Sequence, residues 1–562
     1  MTTVADPMPR NRRVPLWRLA SMRQPVLLAV IVFAAAFTLY LPALGNEFAY
    51  DDVPIIQLDE RVHEFDVRAI LTEGYWDDTR SALYRPLTTL TYAVDWQVSG
   101  GSPAWFHFVN GLWHAAVSTL LFQLLIALAV APLAAFGAAI VFAVHPVHVE
   151  AVANTVGRAE LMAAAFTLVA ALLWARPPRV ARSIRGGVAL VAVFTLALLS
   201  KESAVVLPGL LVVVDIALGR LRRQRLRAWL FSRRAPIMLL GACLFLFFVL
   251  RVGLIGALTP TNLDPSLEVL ASPSARFYTA LQAWPEYVRL LFYPRVLLAD
   301  YGPRILMPAV SVHAGVFLGA SVLALAISGA VLAWLRGQRM LLASLLWFLV
   351  AVMPVSNLIV RIGVLVAERT LYLPSVALSL AIAAAVGPLQ RRLPRSLALA
   401  APLAVCVLVA LFAARTLVRI PEWRTTHTIF EALRRDRPDS FRGAWHFARV
   451  AVAQDRREEA LRLHSEALEL WPYRRKLVQE AALYAGGLGL AERARNLTTF
   501  ALDRWPDDLP LRRLHAGLLL DGGDTLNARR HIMDGLRWHP DDELLLRMLD
   551  AAQPEPPPAP GS

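Results

Sequence analysis

Two adjacent carboxylates, Asp51 and Asp52, follow a long apolar segment that ends near Gly45. A general base has to reach the hydroxyl proton that it removes, and a short tether to the end of a membrane helix would fix that geometry. The same two residues could instead begin a solvated acidic loop or cap a helix. The pair is therefore a candidate for acid–base chemistry, and the residues alone leave the structural alternative open.

Three cations, Arg85, Lys201 and Arg369, interrupt or border apolar segments and could hold a phosphate group. Arginine suits bidentate contact with phosphate, and a lone ammonium can act on it as a point charge. Each also has a structural interpretation, since Lys201 could pair with Glu202 in a hairpin turn and Arg369 with Glu368. An ionisable residue at membrane depth is costly, which makes a functional role the default hypothesis.

The segment from His145 to Glu150 could ligate a metal, because it carries His145, His148 and Glu150. Imidazole and carboxylate ligands suit zinc or manganese. Pro146 interrupts the helix between the histidines, however, and the spacing differs from the H-E-x-x-H arrangement. We therefore predict polar contacts in a substrate cavity and no metal site. No P-loop or Rossmann glycine motif supports the use of a nucleotide.

These residues lie in a chain of 562 residues that is 57% hydrophobic and 18% charged, with a mean hydropathy of +0.49. Soluble domains are about half apolar and a quarter charged, which disfavours one compact soluble enzyme. The apolar residues form blocks close to the roughly 20 residues that a membrane helix needs. We predict an all-α polytopic membrane protein of about 11 transmembrane helices over residues 25–419. The apolar blocks begin near residues 25, 108, 133, 161, 187, 204, 236, 313, 340, 373 and 397.

The arginines predict how these helices are oriented. The net charge is +14, but 21 Lys and Arg meet 22 Asp and Glu from Pro421 onward, so the excess belongs to the membrane half and does not indicate nucleic-acid binding. Cytoplasmic loops collect Arg and Lys. The arginine-rich segments are the N-terminus at 1–24 and the loops at 176–185, 220–234, 336–339 and 391–395. The long loops near 46–107 and 256–308, and everything after residue 419, are then outside.

Four prolines in the C-terminal part recur at intervals of 34 residues: Pro438, Pro472, Pro506 and Pro540. A 34-residue helix–turn–helix repeat with Pro near its end is typical of tetratricopeptide repeats. We predict a repeat superhelix over residues 420–550, on the outer side of the membrane. The Pro-rich end at 551–562 is predicted to be a disordered tail.

The order of the motifs resembles that of the transmembrane and tetratricopeptide-repeat O-mannosyltransferases. It is more distantly similar to that of the protein O-mannosyltransferases of the C-type glycosyltransferase (GT-C) fold. The similar segments are FAYDDVPII from Phe48, YRPLTTLTY from Tyr84, FHFVNGLWHA from Phe106, FAVHPVHVEAVANTVGRAELMA from Phe142, LLSKES from Leu198, LFYPRVLLADYG from Leu291 and MPVSNLIVRIGVLVAERTLYLPS from Met353. They span nearly the whole membrane half in the expected order.

The resemblance implies an inverting, metal-independent transfer of a hexose, with mannose expected, from a polyprenyl-phosphate donor to a hydroxyl acceptor. It implies that Asp51 is the general base, that Asp52 orients acceptor or base, and that Arg85 binds the donor phosphate. Lys201 and Arg369 are further candidates for the phosphate. The family motifs also contain the candidate cavity residues His145, His148, Glu160, Glu202, Glu368 and Tyr372. No cofactor is expected, and the repeats are expected to hold a protein or glycan acceptor.

Two other classes of protein stay open at this stage. A transporter or flippase would also have many spans with polar residues, although the hydropathy shows no inverted repeat. A non-catalytic assembly protein of envelope glycan biosynthesis would use the repeats for recruitment. The chain has two lysines against 55 arginines, which indicates a GC-rich genome. We therefore expect a bacterial inner membrane, with the N-terminus in the cytoplasm and the repeats in the periplasm.

Overall fold

The computed structural model describes residues 16–76, 83–176, 184–221, 226–256, 272–392 and 399–552. Several predictions lie wholly or partly outside these residues. They are the basic N-terminus at 1–24, the disordered tail at 551–562, and parts of the loops at 46–107, 176–185, 220–234, 256–308 and 391–395. The predicted all-α class is confirmed, since the described residues are helices, turns and loops and contain no strand.

The membrane half consists of apolar helices joined by short turns and by two longer loop regions. Each of the predicted apolar blocks contains a helix. The longer helices are α1 (Leu16–Leu39), α2 (Pro86–Ser99), α3 (Pro103–Ala127), α4 (Pro132–Ala143), α5 (Arg158–Ala175), α6 (Ile184–Ser200), α7 (Leu207–Ala217), α8 (Leu226–Ile255), α9 (Pro273–Gln282), α10 (Trp284–Phe292), α11 (Ala314–Leu335), α12 (Arg339–Val352), α13 (Val376–Arg392) and α14 (Ala400–Arg419).

Length and composition identify candidate membrane spans among these helices. Within the described residues, six helices are long and apolar enough to cross a membrane, and a seventh span results if α4 and the bent segment Pro146–Val152 are taken together. Helices α6, α12 and α13 are apolar but shorter, and α7 has 11 residues. The chain is a multi-pass membrane protein, and the count of about 11 spans stays a prediction.

The polar motifs meet at one end of this helical bundle. The turn after α1 reaches the end of α14, where Asn46 Nδ2 donates to the carbonyl oxygen of Ile420 over 3.3 Å. The first turn of α2 reaches the end of α6, where Thr88 Oγ1 donates to the carbonyl oxygen of Ser200 over 2.9 Å. Antiparallel helices joined by short connections therefore bring distant segments of the chain to one face.

The C-terminal helices repeat with the predicted period. After α15 (Thr426–Asp436), the helices are α16 (Phe441–Ala453), α17 (Arg457–Leu470), α18 (Arg475–Gly487), α19 (Ala491–Arg504), α20 (Leu509–Asp521), α21 (Thr525–Trp538) and α22 (Glu543–Ala551). The first helix of each hairpin begins 34 residues after the previous one, at residues 441, 475, 509 and 543. The predicted tetratricopeptide-repeat superhelix is thus confirmed.

An aspartate with two roles accounts for part of this regularity. Asp508 caps α20 by accepting from the backbone N–H of Leu511 over 3.1 Å, and it also accepts from Arg475 Nε over 2.7 Å. Asp542, 34 residues later, caps α22 through Leu545 and pairs with Arg513. A side-chain oxygen at this position satisfies an otherwise unpaired helix N–H, so each cap also joins neighbouring repeats.

The repeats are docked on the end of the membrane half that carries the motifs. Tyr50 N–H donates to Thr426 Oγ1 over 2.9 Å, and the rings of Tyr50 and Phe430 pack edge to face. Arg442 Nε lies 3.0 Å from Asp300 Oδ1 in an ion pair between α16 and the loop before α11. Helix α15, just before the first repeat helix, therefore contacts the residue next to Asp51.

Candidate active site

A cavity of about 810 Å³ lies at the end of the bundle where the polar motifs meet. Most of its lining is apolar, including Phe248 on α8 and Leu349 and Val350 on α12. Charged side chains complete the lining. Among the described residues they are the acids Asp51, Glu160 and Glu202 and the cations Arg85, Lys201, Arg251, Arg361 and Arg369. The cavity thus joins an apolar wall to a group of charges with an excess of cations.

Asp51 borders the cavity from the turn that follows the first span. Its carboxylate lies 3.6 Å from the Arg369 guanidinium. Burial raises the pKa of Asp51 above its usual value, and the nearby Arg369 opposes this rise. The preceding residue, Tyr50, has a φ of 55°, a left-handed conformation that is uncommon for a residue with a side chain. The contact of Tyr50 with Thr426 holds this conformation in place.

Asp52 points away from the cavity into the protein. Its carboxylate is fully buried and accepts from the backbone N–H groups of Val156, Thr155 and Ala49 over 2.8, 3.2 and 3.3 Å. Burial raises the pKa of Asp52 to about 7, and the three amide donors oppose that rise. Gly157 completes the turn, because a Cβ there would lie 2.3 Å from the carbonyl oxygen of Ala151. Asp52 therefore fixes the turn beside Asp51.

Arg85 and Lys201 each reach the cavity from the end of a helix. Pro86 occupies the first position of α2, where its missing N–H is harmless, so Arg85 stands just before the helix. Arg85 Nε donates to Glu202 Oε2 over 3.0 Å. Lys201 follows the last residue of α6 and forms an ion pair with Glu160 on α5. In both pairs the carboxylate holds the cation at the cavity wall.

Arg369 is held by Glu150, which the sequence analysis considered as a metal ligand or a polar contact in a cavity but did not pair with Arg369. Its backbone N–H donates to Glu150 Oε2 over 2.8 Å, and its guanidinium pairs with the other oxygen of Glu150. The two residues are 219 positions apart in the chain. Glu150 stands in the quoted HPVHVE segment, but nothing in the local sequence indicates its partner.

Four of the predicted cavity residues are not among the described residues that line the cavity. They form hydrogen bonds in the surrounding core instead. His145 Nε2 lies 2.9 Å from the carbonyl oxygen of Leu291, and His148 Nε2 lies 2.8 Å from Ser375 Oγ. The Tyr372 hydroxyl lies 2.7 Å from His114 Nδ1. Glu368 accepts from the Tyr301 hydroxyl over 2.9 Å and lies 3.5 Å from Arg419. These four residues therefore stabilise the core next to the cavity.

Metal ligation has little support in the part of the chain that the structure describes. No group of three His, Cys, Asp or Glu side chains there is arranged to hold a metal ion. The absence of a metal from the reaction stays a prediction.

Three arginines in or near the cavity were not among the predicted site residues. Arg158 at the start of α5 is fully buried, donates to Asn110 Oδ1 over 2.9 Å and pairs with Asp95. Arg251 and Arg361 line the cavity. In all three cases the sequence shows an arginine inside or next to an apolar block, and this pattern could have identified them.

Comparison with known proteins identifies relatives over most of the chain. Protein O-mannosyl-transferase TMTC4 of Homo sapiens is 27% identical over 470 residues, which cover 74% of this chain and 62% of the relative. TMTC1 of Homo sapiens is 28% identical over 507 residues, covering 82% and 57%. The chain resembles the TMTC protein O-mannosyl-transferases. This confirms the resemblance predicted from the motifs.

A third TMTC relative has higher identity over a shorter stretch. Tmtc2 of Drosophila melanogaster is 31% identical over 284 residues, which cover 48% of this chain and 29% of the relative. The chain spans about three fifths of the length of the two human TMTC proteins. No family model and no solved structure matches it.

Proposed function

We propose that this chain is a membrane glycosyltransferase that moves a hexose, with mannose expected, from a polyprenyl phosphate to a hydroxyl group of a protein. The observation that carries the proposal is the cavity, which combines an apolar wall, five cations and the Asp51 carboxylate in one space. A lipid-linked sugar phosphate needs these three features together. The names of the TMTC relatives support the reaction class and the protein acceptor.

In the proposed reaction, Asp51 removes the proton of the acceptor hydroxyl as the hydroxyl oxygen attacks the anomeric carbon of the sugar. The bond from that carbon to the phosphate oxygen breaks, and its electron pair leaves with the polyprenyl phosphate. The configuration at the anomeric carbon inverts. The raised pKa of Asp51 brings its basicity closer to that needed at neutral pH.

The cations of the cavity act on the leaving phosphate. Negative charge grows on the phosphate in the transition state, where preorganised charged donors stabilise it most effectively. Arg85, Lys201 and Arg369 are preorganised because Glu202, Glu160 and Glu150 hold them at the wall. Lewis-acid assistance from a metal is not required in this scheme, and no cofactor is proposed.

We further propose that the reaction occurs on the periplasmic face of a bacterial inner membrane. The repeats and the cavity lie at the same end of the bundle, whereas the described residues Arg176, Arg220 and Arg233 of the arginine-rich segments lie at the other end, around Asp215. A reporter enzyme fused after residue 552 should be active in the periplasm. A reporter that is active only in the cytoplasm would contradict the orientation.

The repeats are proposed to present the acceptor. Removing residues 475–552 keeps Thr426, Phe430 and Arg442, and with them the contacts beside Asp51. This truncation should abolish transfer to the native acceptor while donor binding is retained. Unchanged transfer to the native acceptor would contradict this role. The matched control removes residues 424–552, and it should also impair donor turnover because the support of Tyr50 is lost.

The reaction itself can be tested with the purified full chain in nanodiscs. Polyprenyl-phosphate-[¹⁴C]mannose is the donor, a membrane and periplasmic extract supplies the acceptor, and half of the samples contain a chelator. We expect radiolabel on protein with and without the chelator, and none with a nucleotide-linked sugar as donor. Donor binding without any transfer would contradict the proposal and favour the transporter alternative.

A further inference from the structure

One segment between α12 and α13 contributes disproportionately to the cavity wall. Among the described residues, those that positions 353–367 of this segment supply to the lining are Met353, Pro354, Val355, Ile359, Val360, Arg361, Ile362 and Val364. The segment is irregular rather than helical over residues 356–367. Its sequence therefore determines the shape of the cavity on this side.

Hydrogen bonds from two buried side chains stabilise the base of this segment. Asn357 has a φ of 60°, its Nδ2 donates to the carbonyl oxygen of Val364 over 2.8 Å, and its Oδ1 accepts from Ile362 N–H over 3.1 Å. Ser356 is fully buried, and its Oγ donates to the carbonyl oxygen of Met353 over 2.8 Å. These bonds close residues 358–363 into a compact projection, which we call the cavity loop.

The cavity loop presents one cation to the cavity without a carboxylate beside it. Arg361 lines the cavity and is half-buried. In the part of the chain that the structure describes, Arg85, Lys201 and Arg369 each face a glutamate, whereas Arg361 has no ion pair. A half-buried charge without a counterion is well placed to gain from binding an anion.

Apolar side chains flank this cation. Ile359 and Val360 line the cavity and are also 64% and 38% exposed, so they stand at its mouth. Ile362 lines the cavity on the other side of Arg361. A single loop thus offers a guanidinium group with apolar surface next to it, which matches the junction between a phosphate and a hydrocarbon chain.

We propose that the cavity loop captures the donor lipid, with Arg361 binding its phosphate and Ile359 and Val360 contacting the isoprene units next to that phosphate. This inference rests on the proposed function, since it names how the same cavity recognises its donor. Arg85, Lys201 and Arg369, each already paired with a glutamate, then stabilise the charge that develops during transfer. Arg361 contributes mainly to binding.

The test is a binding measurement that requires no transfer. Farnesyl phosphate, farnesol and inorganic phosphate are titrated separately into the full chain in detergent, with binding followed by calorimetry. The variants are Arg361→Gln and Arg295→Gln. Arg295 is a matched control because it is an exposed arginine on the same side of the protein that does not line the cavity.

A charge-assisted hydrogen bond is lost in Arg361→Gln, so its Kd for farnesyl phosphate should rise about tenfold, whereas that of Arg295→Gln should change by less than about twofold. Binding of farnesol should be equal in all three proteins. Weaker binding of inorganic phosphate than of farnesyl phosphate by the wild type would identify the lipid as the ligand. A double change, Ile359→Ser with Val360→Ser, should weaken both farnesyl phosphate and farnesol.

Equal binding of farnesyl phosphate by wild type and Arg361→Gln would overturn this inference and leave the proposed function intact. A wild type that binds no prenyl phosphate would overturn both. Inorganic phosphate bound as tightly as farnesyl phosphate would also overturn the role of the loop in lipid capture. Thermal unfolding of Arg361→Gln should match the wild type, because Arg361 forms no ion pair within the described residues.

Discussion

Two groups of buried acidic and basic side chains lie at opposite ends of helices α5 and α7, and they are built differently. At the end away from the cavity, Asp215 is fully buried and accepts from Arg220, Arg233 and Trp229 Nε1 over 3.1, 3.0 and 2.9 Å. Arg220 also donates to the carbonyl oxygens of Trp174 and Ala175 at the end of α5 and of Arg176 just after it. The charged groups of this cluster therefore pair with one another, and the cluster connects helices α5, α7 and α8.

At the cavity end the same residue types surround an open space. Arg85, Lys201 and Arg369 each have a carboxylate on one side and the cavity on the other. The comparison shows that a buried ion pair is not by itself a sign of a site. What distinguishes the two clusters is whether the charges also face a space that a ligand can fill.

The largest expected effect on stability comes from disrupting the cluster around Asp215, which we call the closed cluster. Asp215→Asn removes the carboxylate charge that pairs with Arg220 and Arg233 and should lower the free energy of unfolding by about 3 to 5 kcal/mol, because a buried ion-pair network loses its only acidic member in this cluster of described residues. Binding of farnesyl phosphate by the folded fraction should not change. Thermal unfolding in detergent measures the first effect and calorimetry the second.

The control for this variant is Glu543→Gln, which breaks an ion pair whose partners are largely exposed. Its stability should change by less than about 0.5 kcal/mol. If Asp215→Asn were as stable as this control, or if it lost donor binding, the distinction between the two clusters would be contradicted.

The second prediction concerns the charged residues that line the cavity, which we call the open cluster. The double variant Arg85→Gln with Glu202→Gln replaces an ion pair by a neutral pair of similar shape. Stability should therefore change little, whereas transfer should fall about 100-fold because one charged donor to the leaving phosphate is gone. The initial rate of transfer and the melting temperature are measured on the same samples. A large loss of stability with an unchanged rate per folded molecule would show that this pair stabilises the fold, as the closed cluster does, and does not act on the phosphate.

A smaller effect is expected at Asp52, which supports the site without lining it. In Asp52→Asn an NH₂ group replaces an oxygen that accepts from backbone N–H groups, which should cost about 1 to 3 kcal/mol of stability. Transfer per folded molecule should change much less than in Asp51→Asn. A variant that is stable but inactive would instead place Asp52 in the reaction.

The cost of Asp52→Asn should also depend on pH. The carboxyl has a pKa of about 7 in the folded protein against about 3.9 when unfolded, so the folded state binds an extra proton between these values. The stabilisation from Asp52 is then present below about pH 4 and is lost as the pH rises toward 7. The difference in melting temperature between wild type and variant should shrink over that range. A constant difference would contradict the raised pKa.

The fold was largely predictable because its signals are periodic. The apolar blocks are long, and each contains a helix of the structure. The prolines at intervals of 34 residues predicted the repeats because each repeat contributes the same pair of helices. Pro146 was expected to interrupt its helix, and the chain bends by 48° between α4 and Pro146–Val152, whereas the short length of α7 was less clear from the sequence.

The site was predictable only in part. The residues of the motifs could be named, but their partners could not. Glu150 and Arg369 are paired across 219 residues, and Asp215 is a single acid in an apolar block whose partners lie on other segments. His145 and His148 looked like cavity residues, yet Nε2 of each ring forms a core hydrogen bond. Such pairings follow from tertiary contacts, which local patterns do not encode.

The most direct test of the account compares wild type and Asp51→Asn in mannose transfer from polyprenyl-phosphate-mannose, with farnesyl phosphate binding measured on the same preparations. In the wild type, transfer should rise with pH as Asp51 loses its proton, with a midpoint above the usual aspartate value of about 3.9. Asp51→Asn should lose about 10²- to 10⁴-fold in transfer rate and keep its affinity for farnesyl phosphate. Transfer at the wild-type rate by Asp51→Asn would contradict the assignment of Asp51 as the general base.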